Sequence, residues 1–322
     1  MTALELTDVV KSYPVRRGIF GRRSGSVQAV SDVSVSVPPG TTFGLVGETG
    51  CGKSTLGRSA ARLNEPDDGV VKVMGADVTH LRGARLRDVR RKVQIVFQDP
   101  FASLNPRMSI RSILREPLVI HGLHPGEHHK RVRALLEQVG LNTNWENRYP
   151  HELSGGQRQR VGIARALAVE PEVIILDEPV SALDVSVQAG VLNLLCDLQE
   201  TLGLTYLFIS HDLSVVKHLS HQVGVMYLGR IVETGSVAEV YTSPRHPYTQ
   251  ALLSAIPLPD PRAERTRERI VLTGDVPSPM SPPTGCHFHA RCWKATEICS
   301  QLVPETRVTD TGHAVACHHA DV

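Results

Sequence analysis

The chain has 322 residues, 41% of them hydrophobic and 21% charged, the balance of a globular protein longer than one core supports, so a main domain with an appendage is expected. A net charge of +2 gives no overall drive toward nucleic acid, and no apolar run approaches the roughly 18 residues needed to span a bilayer. Glu5, Asp8 and Lys11 interrupt any signal-peptide core, which predicts a cytoplasmic chain whose membrane association comes through a partner.

Leu4 and Leu6, then Val33, Val35 and Val37 before Pro38-Pro39-Gly40, alternate apolar with polar and predict half-buried antiparallel strands. Between them a basic loop, Arg16 to Gly25, reads as a solvated charge run, with anionic lipid headgroups as the sharper alternative. Phe43 to Val46 is a short apolar strand, and Leu56 to Leu63 begins a helix. The segment joining them, Gly47-Glu48-Thr49-Gly50-Cys51-Gly52-Lys53-Ser54-Thr55, fits G-x-x-x-x-G-K-[ST]. In that setting its glycines let backbone N–H groups converge on an anion at a helix N-terminus. Lys53 is placed to reach the β- and γ-phosphates, and the Ser54 hydroxyl to bind Mg²⁺.

Val70 to Val73 and Val93 to Phe97 read as further strands, the second breaking at Gln98-Asp99-Pro100. Residues 107–142 read as amphipathic helix, with Ile110, Ile113 and Leu114, then Val132, Leu135 and Leu136, at helical spacing. Leu153-Ser154-Gly155-Gly156-Gln157 opens another helix reaching Ala168. Val173 to Leu176 is a wholly apolar strand ending in Asp177-Glu178. A helix from Val187 to Leu202, a strand from Thr205 to Ile209 ahead of His211, and a hairpin from Val223 to Glu233 follow. Strands alternating with helices imply an α/β fold with a mostly parallel sheet and helices on both faces. Beyond Tyr241 prolines punctuate the chain, which divides the reading into 1–242, with a helical subdomain at about 100–165, and a Pro-rich, Cys-rich segment at 243–322.

Phosphoryl transfer needs a phosphate cradle, a metal holder, a group that orients the attacking water, and charge stabilisation. Asp177 at the end of a buried strand suits Mg²⁺, and the adjacent Glu178 suits the water. Gln98 offers a neutral oxygen to the metal or the water, and His211 a hydrogen bond to the γ-phosphate. Ser154 with the Gly155 and Gly156 amides makes a second anion-binding terminus. One nucleotide hardly needs two such termini from one chain, which points to a head-to-tail dimer holding ATP between the cradle of one copy and the Ser154 segment of the other.

With these motifs in order, residues 4–256 resemble the nucleotide-binding subunit of an ABC transporter, a P-loop NTPase fold with an N-terminal antiparallel β subdomain and an α-helical subdomain. Gly47 to Thr55 matches Walker A, Gln98 the Q-loop, Leu153 to Gln157 the signature, Val173 to Asp177 Walker B with Glu178 the catalytic glutamate, Ser181 to Asp184 the D-loop, and His211 the switch histidine. The resemblance also gives Tyr13 a role, as the aromatic that stacks on adenine. Phe97 to Pro106, Arg245 to Leu253, and Gly285 to His318 are similar to the oligopeptide/dipeptide (and nickel) importer ATPases. That family implies an ATPase at the cytoplasmic face of the membrane, coupled to two permease subunits and an extracytoplasmic substrate-binding protein. Its ATPase genes commonly come in pairs, which favours a paralogue as dimer partner. Peptide is the expected solute, with nickel or another small solute as the alternative. A ribosome- or DNA-acting ABC ATPase would carry a second cassette or long coiled coils, and an exporter fused membrane spans; neither occurs in the sequence.

Cys286, Cys292, Cys299 and Cys317, separated by 5, 6 and 17 residues, do not make a pair of C-x₂-C knuckles. Four thiolates suit a [4Fe–4S] cluster or tetrahedral zinc. Some members of the resembled subfamily carry such a cluster here, so a structural iron–sulfur site is the expectation, with zinc or no metal as alternatives. His318, beside Cys317, is a possible substitute ligand.

Overall fold

The computed structural model describes residues 2–17, 22–257, 262, 265 and 269–320. The alternating N-terminal segments pair as β1 (Leu4–Arg17) and β2 (Arg22–Val37), with β4 (Asp68–Val73) on the other side of β1 and β5 (Ala76–Asp77) beyond it, all antiparallel. Leu4, Leu6, Val33, Val35 and Val37 are all buried. The basic stretch expected as a loop continues this hairpin, with Arg16 opposite Arg23 and Arg17 opposite Arg22; residues 18–21 of it lie outside the described residues.

Among the described residues the second sheet has eight strands, β10 being Arg230–Ser236, β11 Thr306–Val308 and β12 Ala314–Ala316, in the order β11-β12-β10-β9-β3-β8-β7-β6. Here β3 is Thr42–Val46, β6 Val93–Val96, β7 Val173–Asp177, β8 Thr205–Ser210 and β9 Gln222–Tyr227, and these run parallel. Every residue of β3, β7 and β8 is buried, as uninterrupted apolar runs require when both faces of a parallel sheet are covered. On one face Leu45, Ile175, Leu207 and Ile209 pack with Leu56 and Ala60 of α1 (Lys53–Ala60) and the inward side of the antiparallel sheet. On the other, Leu176, Tyr206 and Phe208 share a core with Val161 and Ala164 of α6 (Gly155–Leu167) and Leu195 and Leu198 of α7 (Val185–Leu202).

After α2 (Gly83–Lys92) and the short α3 (Pro100–Ser103), the helical stretch expected over 107–142 divides into α4 (Ile110–Ile120) and α5 (His128–Gln138). Gly122, at φ 63°, accepts a left-handed turn, and Pro125-Gly126 prevents the helix from resuming earlier. The C-terminal segment is built into the main body rather than set beside it. Its β12 (Ala314–Ala316) pairs with β10 (Arg230–Ser236), and β11 (Thr306–Val308) pairs with β12, extending the sheet by two antiparallel strands. Phe288 joins the large core beside Tyr227 and Tyr248. No helix among the described residues is long and apolar enough to cross a membrane.

Candidate ATP site

The parallel strands end along one edge, where ligands bind in open α/β sheets, and each end delivers a candidate residue there. β3 runs into Gly47, β6 leads to Gln98, β7 ends in Asp177 followed by Glu178, and β8 is followed by His211. A cleft of about 430 Å³ is lined by Thr49, Gly50, Gly52, Lys53, Ser54, Thr55, Gln98, Glu178 and His211, with Tyr13, Val27 and Ala29 from the antiparallel sheet and Pro279 from the C-terminal segment.

Two glycines of the loop are required by space and by backbone. Gly47 (φ 153°) would carry a Cβ 2.1 Å from the Met226 carbonyl oxygen, and Gly52 (φ 112°) one 2.0 Å from that of Ala29. Gly52 also occupies the N-cap of α1 and makes no side-chain cap, so the first amides of that helix are left for a ligand. The Lys53 ammonium is held within the loop, donating to the carbonyls of Gly47 at 2.7 Å and Glu48 at 3.0 Å. Cys51 is buried, and burial pushes its thiol up, so it acts as packing beneath the loop.

Ser54 Oγ donates to Asp177 Oδ1 at 2.8 Å. Burial raises the Asp177 carboxyl above the ordinary range, the Ser54 hydrogen bond opposing it. A hydroxyl and a buried carboxylate in contact, with Gln98 in the same cleft, are the hard oxygen donors from which Mg²⁺ takes one or two protein ligands beside phosphate and water. Glu178 sits at φ 49°, a left-handed conformation uncommon for a non-glycine residue, fixed by its N–H donating to the Ile209 carbonyl at 2.9 Å. Its carboxylate accepts from Gln98 Nε2 at 2.8 Å and lies 3.3 Å from His211 Nδ1. Strain at a residue gripped from three sides aims that carboxylate at the cleft.

Tyr13 lines the cleft while its hydroxyl accepts from Asn64 Nδ2 at 2.7 Å and Lys11 lies 5.7 Å from its ring centre. Ser154, Gly155, Gly156 and Gln157 are placed elsewhere, outside the residues that line this cleft. Ser154 caps α6 by accepting from Gln157 N–H, and Gln157 Oε1 accepts from Ser154 N–H at 2.9 Å. A Cβ on Gly156 would meet Val187 at 2.2 Å, which presses this turn against the start of α7. Glu48 faces neither: its carboxylate is bound by Arg291, and its N–H donates to the Tyr248 hydroxyl at 2.9 Å. Pro279, Tyr248 and Arg291 had no signal in the sequence, because hundreds of residues of chain separate the latter two from the loop they touch.

The comparisons with known proteins decide the family. Residues 30–181 match the ABC transporter family, and residues 232–299 match the oligopeptide/dipeptide transporter C-terminal region. The oligopeptide transport ATP-binding protein AppF of Bacillus subtilis (strain 168) is 55% identical over 319 residues, covering 98% of this chain and 97% of that one. The chain belongs to the ABC transporter ATP-binding subunits. The dipeptide transport ATP-binding protein DppF of Haemophilus influenzae is 50% identical, covering 97% of this chain and 94% of that one. Among solved structures, the ATP-binding cassette MJ0796, dimeric and bound to ADP and Pi after hydrolysis, matches at TM-score 0.64 and 29% identity over 73% of this chain and 98% of that one. The chain is an ABC ATPase, and the expected P-loop architecture is the observed one.

The cysteine segment of this ABC ATPase departs from the expectation of a metal centre. Among the described residues no group of three or more His, Cys, Asp or Glu side chains is placed to hold a metal ion. Burial raises the Cys286 thiol to about 11 and also raises Cys292 and Cys317 in the metal-free chain. Cys286 and Cys292 pack against the main core, Cys317 packs with Val315 and Ala320, and Cys299 Sγ lies 3.5 Å from His319 Nε2. His318, the substitute ligand, has its Nε2 2.9 Å from the Leu302 carbonyl instead. Among the described residues neither iron–sulfur nor zinc ligation has support.

Proposed function

We propose that this ABC ATPase powers uptake of di- and oligopeptides, as one of two cassettes that close on ATP at a shared seam on the cytoplasmic face of a membrane permease. The observation that carries this reading is the 48–55% identity, along nearly the full chain, to proteins named for oligopeptide and dipeptide transport. The match spans the C-terminal region as well as the cassette, which favours peptide over nickel as the solute class. The partners are a second ATPase subunit, most simply a paralogue, two permease subunits and an extracytoplasmic peptide-binding protein.

In the proposed cycle Gly47 to Thr55 wrap the phosphates, Lys53 leaves its loop carbonyls for the β- and γ-oxygens, and Tyr13 meets the adenine. Ser54, Gln98 and Asp177 would hold Mg²⁺, which supplies charge neutralisation on the phosphate oxygens. Glu178 accepts the proton of the attacking water, and His211 bonds the γ-phosphate. Ser154 to Gln157 come from the other cassette and complete the site; the dimeric MJ0796 cassette offers the precedent of paired cassettes. No step of the cycle is assigned to the four thiols.

The test is reconstitution of the assembled importer in nanodiscs with its binding protein. Peptide-loaded binding protein should raise ATP turnover, whereas a rise with a loaded nickel chelate and none with peptide would replace the solute class. Glu178→Gln should keep ATP bound and slow hydrolysis about a hundred- to ten-thousandfold, the span of a general base. Turnover at the parental rate in that variant would remove Glu178 from its role.

A further inference from the structure

A carboxylate inside a phosphate-binding loop is an electrostatic problem, because the ligand arrives with several negative charges of its own. Glu48 occupies that position, directly after Gly47. Its carbonyl accepts from Lys53 at 3.0 Å, so the cation meant for phosphate is bound to the Glu48 backbone. The carboxylate itself pairs with a different cation. Arg291 Nη1 lies 3.1 and 3.0 Å from its two oxygens, across 243 residues of chain. Only 9% of the Arg291 side chain is exposed, against 27% for Glu48. The arginine is held in turn over the Tyr227 ring, 6.0 Å from its centre, and that ring packs edge-on against Tyr248 at 4.7 Å and Phe288 at 5.2 Å. Tyr248 closes the grip through its hydroxyl, which accepts the Glu48 N–H.

We propose that Arg291 is a positioning residue for the phosphate loop: it neutralises Glu48 and keeps the carboxylate off Lys53, and so sets the affinity of the loop for a nucleoside di- or triphosphate. The C-terminal region thereby acts on the nucleotide site of its own chain. Arg291 is not among the residues that line the cleft, and its route to the loop is through Glu48. The proposal rests on Gly47 to Thr55 being the phosphate cradle. Removing the guanidinium frees a carboxylate whose nearest use is an ion pair with Lys53, and phosphate must then break that pair to bind. Since the pair is charge-assisted but partly open to water, about a tenfold loss is the expected scale.

The experiment titrates MgADP calorimetrically into the full-length protein, its Arg291→Ala, Arg291→Lys and Glu48→Ala/Arg291→Ala variants, and Lys53→Ala as a control. Arg291→Ala should bind MgADP about tenfold more weakly, with the loss shrinking at high salt. Arg291→Lys should lie between it and the parent. The double variant should recover most of the loss, because without the carboxylate there is nothing for Arg291 to restrain. A double variant as weak as Arg291→Ala, or Arg291→Ala binding like the parent, would overturn the role. Should Arg291→Ala fail to fold, Arg291→Gln with and without Glu48→Gln makes the same comparison. If Lys53→Ala binds MgADP normally, the phosphate-cradle assignment has failed instead, and the two failures are told apart.

Discussion

Two helices of this molecule begin in glycine-rich turns, and they end their first turns in opposite ways. At α1 the N-cap is Gly52, with no side-chain cap, and the nearest polar partners are Lys53 folded onto loop carbonyls and Ser54 bonded to Asp177. At α6 the N-cap is Ser154, and a reciprocal capping box with Gln157 satisfies two backbone donors within the chain. The first terminus is left open, which is what the proposed binding of a ligand's phosphates requires. The second is finished as a structural unit, so what it can still give is the Ser154 O–H, since that oxygen accepts from Gln157 and keeps its own proton. A donor so arranged suits the γ-phosphate of a nucleotide bound elsewhere, which is the head-to-tail pairing proposed above.

The difference can be broken at either helix, and the larger effect is expected at α6. Ser154→Arg keeps its own chain's cleft intact but fills the surface a second cassette would use. ATP turnover should drop about a hundred- to a thousandfold, the cost of losing a preorganised donor at the reacting phosphate, while MgADP affinity stays at the parental value. Weak MgADP binding in that variant would place Ser154 in the cleft of its own chain and dissolve the contrast between the two termini. Lys53→Ala strikes the other helix and should do the reverse. Nucleotide affinity should fall roughly ten- to a hundredfold, as for a charge-assisted hydrogen bond worth about 1.5–3 kcal/mol, read by calorimetry on the isolated chain.

How much of this was legible in the residues follows from how local each signal is. The phosphate loop, the strand ends at Gln98, Asp177 and His211, and the alternation of Leu4, Leu6, Val33, Val35 and Val37 are each encoded within a few consecutive residues, and each appears where the pattern placed it. Tyr13 had no local signal and entered by resemblance alone. The split between α4 and α5 was written in Gly122 and Pro125-Gly126 but was outweighed by apolar spacing on either side. The C-terminal segment is less legible for a physical reason. Four cysteines suggest a metal by their count, whereas what the thiols do depends on burial, and the segment is buried against β10 and against Tyr227 and Tyr248, which lie far from it in sequence. The Glu48–Arg291 pair is invisible for the same reason.

The smallest effect expected concerns Asp177, the carboxylate that Ser54 of α1 already contacts. Burial raises the Asp177 carboxyl, so the folded chain holds that proton more tightly than the unfolded chain does. Between the ordinary carboxylate value of about 3.9 and the raised folded value, the native state therefore binds more protons, and stability falls as pH rises through that window. Above it the ionised Asp177 is a standing cost of the metal-free protein. Asp177→Asn removes the charge and keeps an oxygen to accept from Ser54. Its melting temperature without Mg²⁺ at neutral pH should exceed the parent's by about 2–4 °C for each kcal/mol relieved, and the gain should vanish in acid below the carboxylate range. The same variant should lose the extra stabilisation that Mg²⁺ adds to bound ADP. A variant that melts lower than the parent at neutral pH would mean that Asp177 is paid back by its neighbours without any metal, and that α1 is as self-sufficient as α6.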